Sequence, residues 1–266
     1  MTAGHTSLRD TGACAFFDVD ETLIPVKSMF DFLAFRLAEL GHPRSTYEEA
    51  ATQLRELAAS GARREEVNRA YYRLYRGASE QELKASGERW FAARAAAPGF
   101  LLNGSVLALR EHLANGDHVV LLSGSFAPCL EPLAAALGAT AFRGTRPVVA
   151  DGLLTGDVER PMIGVAKGDA VREYASQHGI DLERSHAYGD HLSDLPMLEA
   201  VGRPRVRADG DPALLGHASQ RGWPLVRDPV SVSPPGEHGP GCVCGCALAD
   251  WAAPSHLPLT TTGAPS

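Results

Sequence analysis

Asp18 and Asp20 stand two positions apart at the end of the apolar run from Ala13 to Val19. Such a run predicts a buried strand that delivers both carboxylates at its C-terminal end, where open α/β sheets place their active sites. Two carboxylates there can divide labour. One attacks a phosphorus atom, while the other hands a proton to the leaving oxygen and later takes one from water. This requires different environments, with Asp20 able to be protonated while Asp18 stays ionised. By itself, Asp-x-Asp after a strand more often marks a solvated turn or a helix cap.

Further along the chain stand residues that would complete a phosphate site. Ser123 follows the apolar segment 118–122 within Ser123-Gly124-Ser125, so its hydroxyl and the nearby backbone N–H groups, that of Gly124 included, can hold phosphate oxygens at a helix N-terminus. Lys167, expected just before a helix, can set a positive charge between an attacking carboxylate and an anionic phosphate. Asp190 and Asp194 lie four apart at an expected strand-to-helix junction and can face one site. Magnesium prefers oxygen ligands and usually takes one or two carboxylates plus substrate phosphate, a requirement that Asp18 and Asp190 fit.

In this order the motifs resemble those of the haloacid dehalogenase superfamily of phosphatases, and more narrowly its phosphoserine-phosphatase-like branch. The resemblance is carried by Asp18-Val19-Asp20-Glu21-Thr22, Ser123, Lys167 and Gly189-Asp190 with Asp194. It extends to Asp151-Gly152-Leu153-Leu154-Thr155-Gly156, Asp194-Leu195-Pro196-Met197-Leu198 and Gly222-Trp223-Pro224, and so spans about residues 13–226. It implies a Rossmann-like parallel sheet with a helical cap inserted after the first strand, and a magnesium-dependent phosphomonoesterase acting through an aspartyl-phosphate. Asp18 would be the nucleophile and Asp20 the acid and base. Asp18, Asp190 and the backbone carbonyl of Asp20 would hold Mg2+, with Asp194 acting directly or through water, and Ser123, Gly124 and Lys167 would bind phosphate. A phosphotransferase using the same intermediate, or a silent phosphate-binding or partner-binding module, are the alternative readings. Phosphoserine phosphatases usually carry a glutamate nine residues after the nucleophile. Here that position is Lys27, which would repel an ammonium and is a candidate specificity residue.

The elements that must position these groups are legible in outline. Residues 28–97 look wholly helical: Val67, Ala70, Tyr71, Leu74 and Tyr75 follow the i, i+3, i+4, i+7, i+8 pattern, and Ser45 with Glu48 and Ser79 with Glu82 read as capping boxes. The aromatics Phe30, Phe32, Tyr71, Tyr75 and Trp90 are expected to be core of this unit, and Arg63, Arg64, Arg69, Arg73 and Arg76 its wet side. Helices at about 101–115, 127–137, 168–178 and 193–200 alternate with strands at 118–122, 186–188 and 204–207, and a hairpin is expected over 148–158 around Asp151-Gly152. The alternation predicts an α/β fold with a parallel sheet covered by helices. The expected organisation is a flexible N-terminus over 1–12, an α/β core over 13–27 and 98–227, a helical cap over 28–97, and a Pro/Gly-rich, loosely ordered tail over 228–266.

Composition narrows the classes of function. A net charge of -7 over 266 residues gives no basic face for a nucleic-acid backbone, and no apolar run approaches a membrane span. The first residues lack the basic and apolar segments of a secretory signal, so a cytoplasmic enzyme acting on a small-molecule phosphate monoester, without nucleic-acid or membrane partners, is expected. The three lysines are Lys27, Lys84 and Lys167. Cys242, Cys244 and Cys246 lack the paired Cys-x2-Cys spacing usual for zinc.

Overall fold

The structure is a computed structural model that describes residues 12–229. The first strand, β1 (Cys14–Asp18), is buried along its whole length, as its unbroken apolar sequence requires. Four helices follow: α1 (Ser28–Glu39), α2 (Arg44–Ala59), α3 (Arg64–Arg73) and α4 (Glu80–Ala95). The chain then alternates through α5 (Asn103–Ala114), β2 (His118–Ser123), α6 (Ala127–Leu137) and β3 (Ala141–Gly144). A hairpin of β4 (Pro147–Ala150) and β5 (Leu153–Val158) comes next, then α7 (Val165–His178) and β6 (His186–Gly189). A 3-10 turn over Leu192–Asp194 leads into the short α8 (Leu195–Leu198), followed by β7 (Arg203–Arg207), α9 (Pro212–Arg221) and β8 (Leu225–Val226).

The six-stranded sheet has the order β3-β2-β1-β6-β7-β8, and all its pairings are parallel. β1 is central: Phe17 lies opposite Leu121 of β2 on one side and Tyr188 of β6 on the other. The strand order reverses around β1, and the crevice outside the carboxyl ends at such a switch point is where open α/β sheets bind ligands. Alternation along β1 sends Ala15 and Phe17 into the core shared with α5, α6 and the inserted helices, and Cys14 and Phe16 into the core beneath α7, α8 and α9.

The four inserted helices are joined to the sheet by an aromatic cluster. Phe126, at the entrance to α6, packs against Phe32, Tyr71, Tyr72 and Tyr75, with ring centroids 5.4 to 6.4 Å apart. Trp90 is edge-on to Phe32 at 6.2 Å and donates its ring N–H to Asp31 at 2.7 Å. Phe32, Tyr71, Tyr75 and Trp90 are buried as expected of core, whereas Phe30 is half-buried and faces a cavity. Gly87 of α4 lies against Pro128 of α6: a Cβ there would stand 2.0 Å from the Pro128 carbonyl oxygen, so only glycine allows the two helices to meet.

Several details differ from the sequence reading. Ser45 is not a cap, because Pro43 holds φ at -66 and the helix starts directly after it. Ser79 does cap α4, accepting from the Glu82 N–H at 3.3 Å. Lys167 lies inside the first turn of α7, since Gly164, at a φ of 59, turns the chain into the helix earlier than the apolar pattern suggested. β3, α9 and β8 were not expected. Asp228, assigned by composition to the tail, receives the Gly104 N–H at 2.7 Å and pairs with the buried Arg207 at 2.8 Å. The segment expected to be flexible before residue 12, and Cys242, Cys244 and Cys246 in the expected tail, lie outside the described residues.

Candidate active site

The end of β1 is wound into a tight turn. The Val19 carbonyl accepts from the N–H groups of Thr22, Leu23 and Ile24, at 3.3, 2.8 and 3.1 Å, and Glu21 adopts a positive φ of 63 between them. A non-glycine residue in that region is uncommon and clusters at functional sites. The turn folds Asp20 back over the mouth of the sheet, where one of its carboxylate oxygens accepts the Ser28 N–H at the start of α1 at 3.0 Å.

Asp18, Lys167, Asp190 and Asp194 converge below it, all buried. The Lys167 ammonium donates to Asp18 and, at 2.5 Å, to Asp194. Carboxylate oxygens of Asp18, Asp190 and Asp194 all lie within 4.8 Å of one another. Thr22 donates its hydroxyl to Asp190 at 3.0 Å, while Asp194 receives the backbone N–H groups of Asp190 and His191 at 3.3 and 3.2 Å. Gly189 makes this possible: a Cβ there would stand 2.8 Å from the Asp194 side chain, leaving no room for the loop to close.

The charges of the cluster do not balance among themselves. Three carboxylates face one ammonium, and burial favours their neutral forms. Burial raises the Asp18 carboxyl above its ordinary range, with Lys167 opposing that rise, and burial together with the charges of Asp18 and Asp194 pushes Asp190 up. Burial disfavours the Lys167 ammonium, but Asp18 and Asp194 outweigh that effect and hold it charged. Asp20 is pushed up to about 7 by burial and by the neighbouring Asp18, with the Ser28 hydrogen bond acting in the other direction. A hard divalent cation fits this set. Its ligands would be oxygens at close range, and its charge would relieve the surplus that now raises the carboxyls.

On the opposite wall, Ser123 ends β2 and its hydroxyl receives the Ser125 N–H at 3.1 Å. The Gly124 carbonyl is tied to the inserted helices, accepting from Asn68 Nδ2 at 2.9 Å and the Tyr72 hydroxyl at 3.1 Å. Ser123, Gly124, Lys167 and Asp190 thus line one cavity with Asp18, Asp20 and Asp194. Lys27 lines it too, but as an exposed group paired with Glu21 at 3.2 Å. Of the arginines expected on a wet face, Arg64 lines the cavity and Arg69 donates to the Val158 carbonyl of the hairpin at 2.9 Å. His191, beside Asp190, lies 3.7 Å from Asp211.

Sequence reasoning missed Thr22 as a partner of Asp190, Ser28 as the group that orients Asp20, and Asn68 with Tyr72 as supports of the Gly124 backbone. Thr22 lay within the recognised motif, where a hydroxyl two residues beyond the second aspartate was a usable signal. Asn68 and Tyr72 had none, being two polar groups in a helix more than fifty positions from Gly124.

The sequence pattern of the haloacid dehalogenase-like hydrolases matches residues 15–199. A Streptomyces azureus protein described as an inhibition of morphological differentiation protein is 36% identical over 217 residues, 80% of this chain and 77% of its own length. A phosphoserine phosphatase of Mycobacterium tuberculosis is 30% identical over 227 residues, covering 81% of this chain and 71% of that protein. Among solved structures, a Bordetella pertussis protein of unknown function superposes with a TM-score of 0.71 at 29% identity, covering 82% of this chain and 99% of that one.

Proposed function

This chain belongs to the haloacid dehalogenase-like hydrolases and is an enzyme of their phosphatase type; from that premise we propose that it is a magnesium-dependent phosphomonoesterase working through a phosphorylated Asp18. The observation that carries this reading is the different surroundings of two neighbouring carboxylates. Asp18 sits in contact with a buried ammonium that opposes the rise burial imposes on it, while Asp20, held by the Ser28 N–H, has a pKa pushed up to about 7.

Asp18 then attacks the phosphorus of a small-molecule phosphate monoester as the ester P–O bond breaks. Asp20 gives its proton to the departing alkoxide, and near neutral pH a carboxyl of this kind is populated in both forms. In the second step Asp20, now ionised, takes a proton from water as that water attacks the aspartyl-phosphate, releasing inorganic phosphate and restoring Asp18. Lys167 and Ser123, with the Gly124 backbone, hold the phosphate oxygens. Mg2+ would be held by Asp18, Asp190 and the Asp20 backbone carbonyl, with Asp194 acting directly or through water; when bound, it spreads the charge developing on the phosphoryl group, which is worth several kcal/mol. Thr22 and the Gly189 loop fix the orientation of Asp190 and Asp194. Among the described residues no helix is long and apolar enough to cross a membrane.

The test is phosphate release from a panel of sugar, polyol, amino-acid, carboxylic-acid and aryl phosphates, with Mg2+ and with chelator. Magnesium-dependent release that disappears in Asp18→Asn, with the variant's unfolding curve retained, is the expected result. Absence of release from every member, or full activity in Asp18→Asn, overturns the proposal.

A further inference from the structure

The cavity that contains Asp18, Ser123 and Lys167 does not end at the phosphate. It continues between the inserted helices as an open pocket that, with the catalytic cluster included, measures about 920 Å³, near the top of the range of roughly 300–1,000 Å³ that holds drug-sized ligands. Its upper walls are carbon. Met29 and Phe30 of α1, Ala51 and Leu54 of α2, and Val67 and Tyr71 of α3 face it from three sides. On α2, Ala51 and Leu54 are three apart, and Tyr47 and Ala58 continue the same stripe, so the face of that helix that packs towards α1 and α3 also borders the cavity.

Several polar groups in these walls are occupied by the protein itself. Asp31 is bound by Trp90 at 2.7 Å and by Arg94 at 2.5 and 2.8 Å. Asn68 supports the Gly124 carbonyl at 2.9 Å, and the Tyr71 hydroxyl donates to the Met29 carbonyl at 2.7 Å. Glu21 is paired with Lys27. Outside the catalytic cluster, the carboxylates lining the cavity are Asp31, which already receives three donors, and Glu21, a half-exposed group paired with Lys27. An ammonium carried up between the helices would stand against Phe30, Val67 and Leu54, where burial without a partner is costly.

We propose that the natural substrate is the phosphate monoester of an alcohol with a large apolar group, alkyl or aryl, which α1, α2 and α3 enclose while the phosphate reaches Asp18. The inference rests on the phosphomonoesterase reading of the same site and adds its substrate class. Lys27, Arg55 and Arg64 at the rim are the groups that a polar end of such an amphiphile would meet.

The experiment is a kcat/KM series with Mg2+ held constant: ethyl, butyl, hexyl, octyl and decyl phosphates, each below its micellar concentration, with 2-naphthyl phosphate and O-phosphoserine beside them. Burial of each methylene should raise kcat/KM by about fourfold until the cavity is filled. Octyl or naphthyl phosphate should then exceed O-phosphoserine by at least about a hundredfold, and the better of the two shows whether the group is a chain or a ring. Ala51→Trp, which fills the space beside Leu54, should collapse the ratio of decyl to ethyl phosphate by tenfold or more. Inhibition constants of ethyl and decyl phosphonate with the wild type give the same comparison without a variant, with the decyl compound expected to bind at least a hundredfold tighter. Magnesium-dependent turnover with a flat chain-length series, or with O-phosphoserine preferred, overturns the apolar-substrate inference and leaves the phosphatase intact. No turnover of any compound, in contrast, removes the phosphatase reading on which it stands.

Discussion

Replacing Lys167 by methionine keeps the length of the side chain and removes its charge. Lys167 is 4% exposed and bridges Asp18 and Asp194, which are 6% and 1% exposed. Without it these carboxylates stand beside Asp190 with no positive partner among the described residues. Removing one member of a buried ion pair typically costs about 3–5 kcal/mol, because the other charge is left uncompensated. At about 2–4 °C per kcal/mol for a chain of this size, the variant should melt roughly 6–20 °C lower at neutral pH. The sign of the pH dependence follows from the same contacts. Lys167 is the group that opposes the effect of burial on Asp18, so its loss raises that carboxyl further. A folded carboxyl that titrates above its unfolded value contributes an instability that is fully present above the folded pKa and disappears as pH falls through it towards the unfolded one. The stability deficit of Lys167→Met relative to wild type should therefore shrink between pH 7.5 and pH 5. Added Mg2+, binding only the folded form, should recover about 2.7 kcal/mol at a hundredfold excess over its dissociation constant. Phosphate release should fall by about 10²–10³, the usual loss on removing one group that stabilises transition-state charge. Urea unfolding at the two pH values, with and without Mg2+, measures each quantity. A deficit below about 1 kcal/mol at pH 7.5, or one that does not change with pH, would refute the account of Lys167 as the counter-charge of this cluster.

Three further outcomes test other parts of the structure. Thr22→Val removes the hydroxyl that donates to Asp190 at 3.0 Å; loss of such a supporting hydrogen bond should raise the Mg2+ concentration for half-activation by about 10–100-fold, and an unchanged activation curve would show that Thr22 does not orient Asp190. Gly87→Ala forces a Cβ to 2.0 Å from the Pro128 carbonyl oxygen, so α4 and α6 must part; chemical denaturation should show a loss of about 1–3 kcal/mol, and wild-type stability would mean the contact is not tight. His186 is held down to about 4 by burial and by the neighbouring His112. A histidine with a lowered folded pKa contributes stability that is full above about pH 6.5 and is lost as pH falls towards 4, so wild type should lose on the order of 1–2 kcal/mol more than His186→Phe between pH 7 and 4.5, after discounting for its partial exposure; parallel pH profiles would exclude this.

How far the site could be read from the chain differs residue by residue. Asp18 and Asp190 were legible because one ends and the other directly follows a short strand, and a parallel sheet delivers the residues at the ends of its strands to one edge. Ser123 and Lys167 were legible by their order and by the elements around them, although the start of α7 was displaced by Gly164, whose positive φ a periodicity pattern does not register. The α/β class and the parallel sheet came from the same alternation. The two-residue β8 and the four-residue β3 were too short to carry a signal of their own, and exist because a neighbouring strand offers unpaired backbone groups.

What the linear sequence determined by itself was the identity and order of the chemical groups, since motif spacing and strand endings are local and survive without coordinates. Tertiary structure alone decided their environments. That Asp20 lies near neutrality while Lys167 stays charged depends on burial and on contacts between residues up to 149 positions apart. The occupation of Asp31 by Trp90 and Arg94, and the cavity left between α1, α2 and α3, are likewise products of packing. An amphipathic stripe records that a helix has an apolar face. Whether that face meets another helix or an enclosed space is settled only when the helices come together.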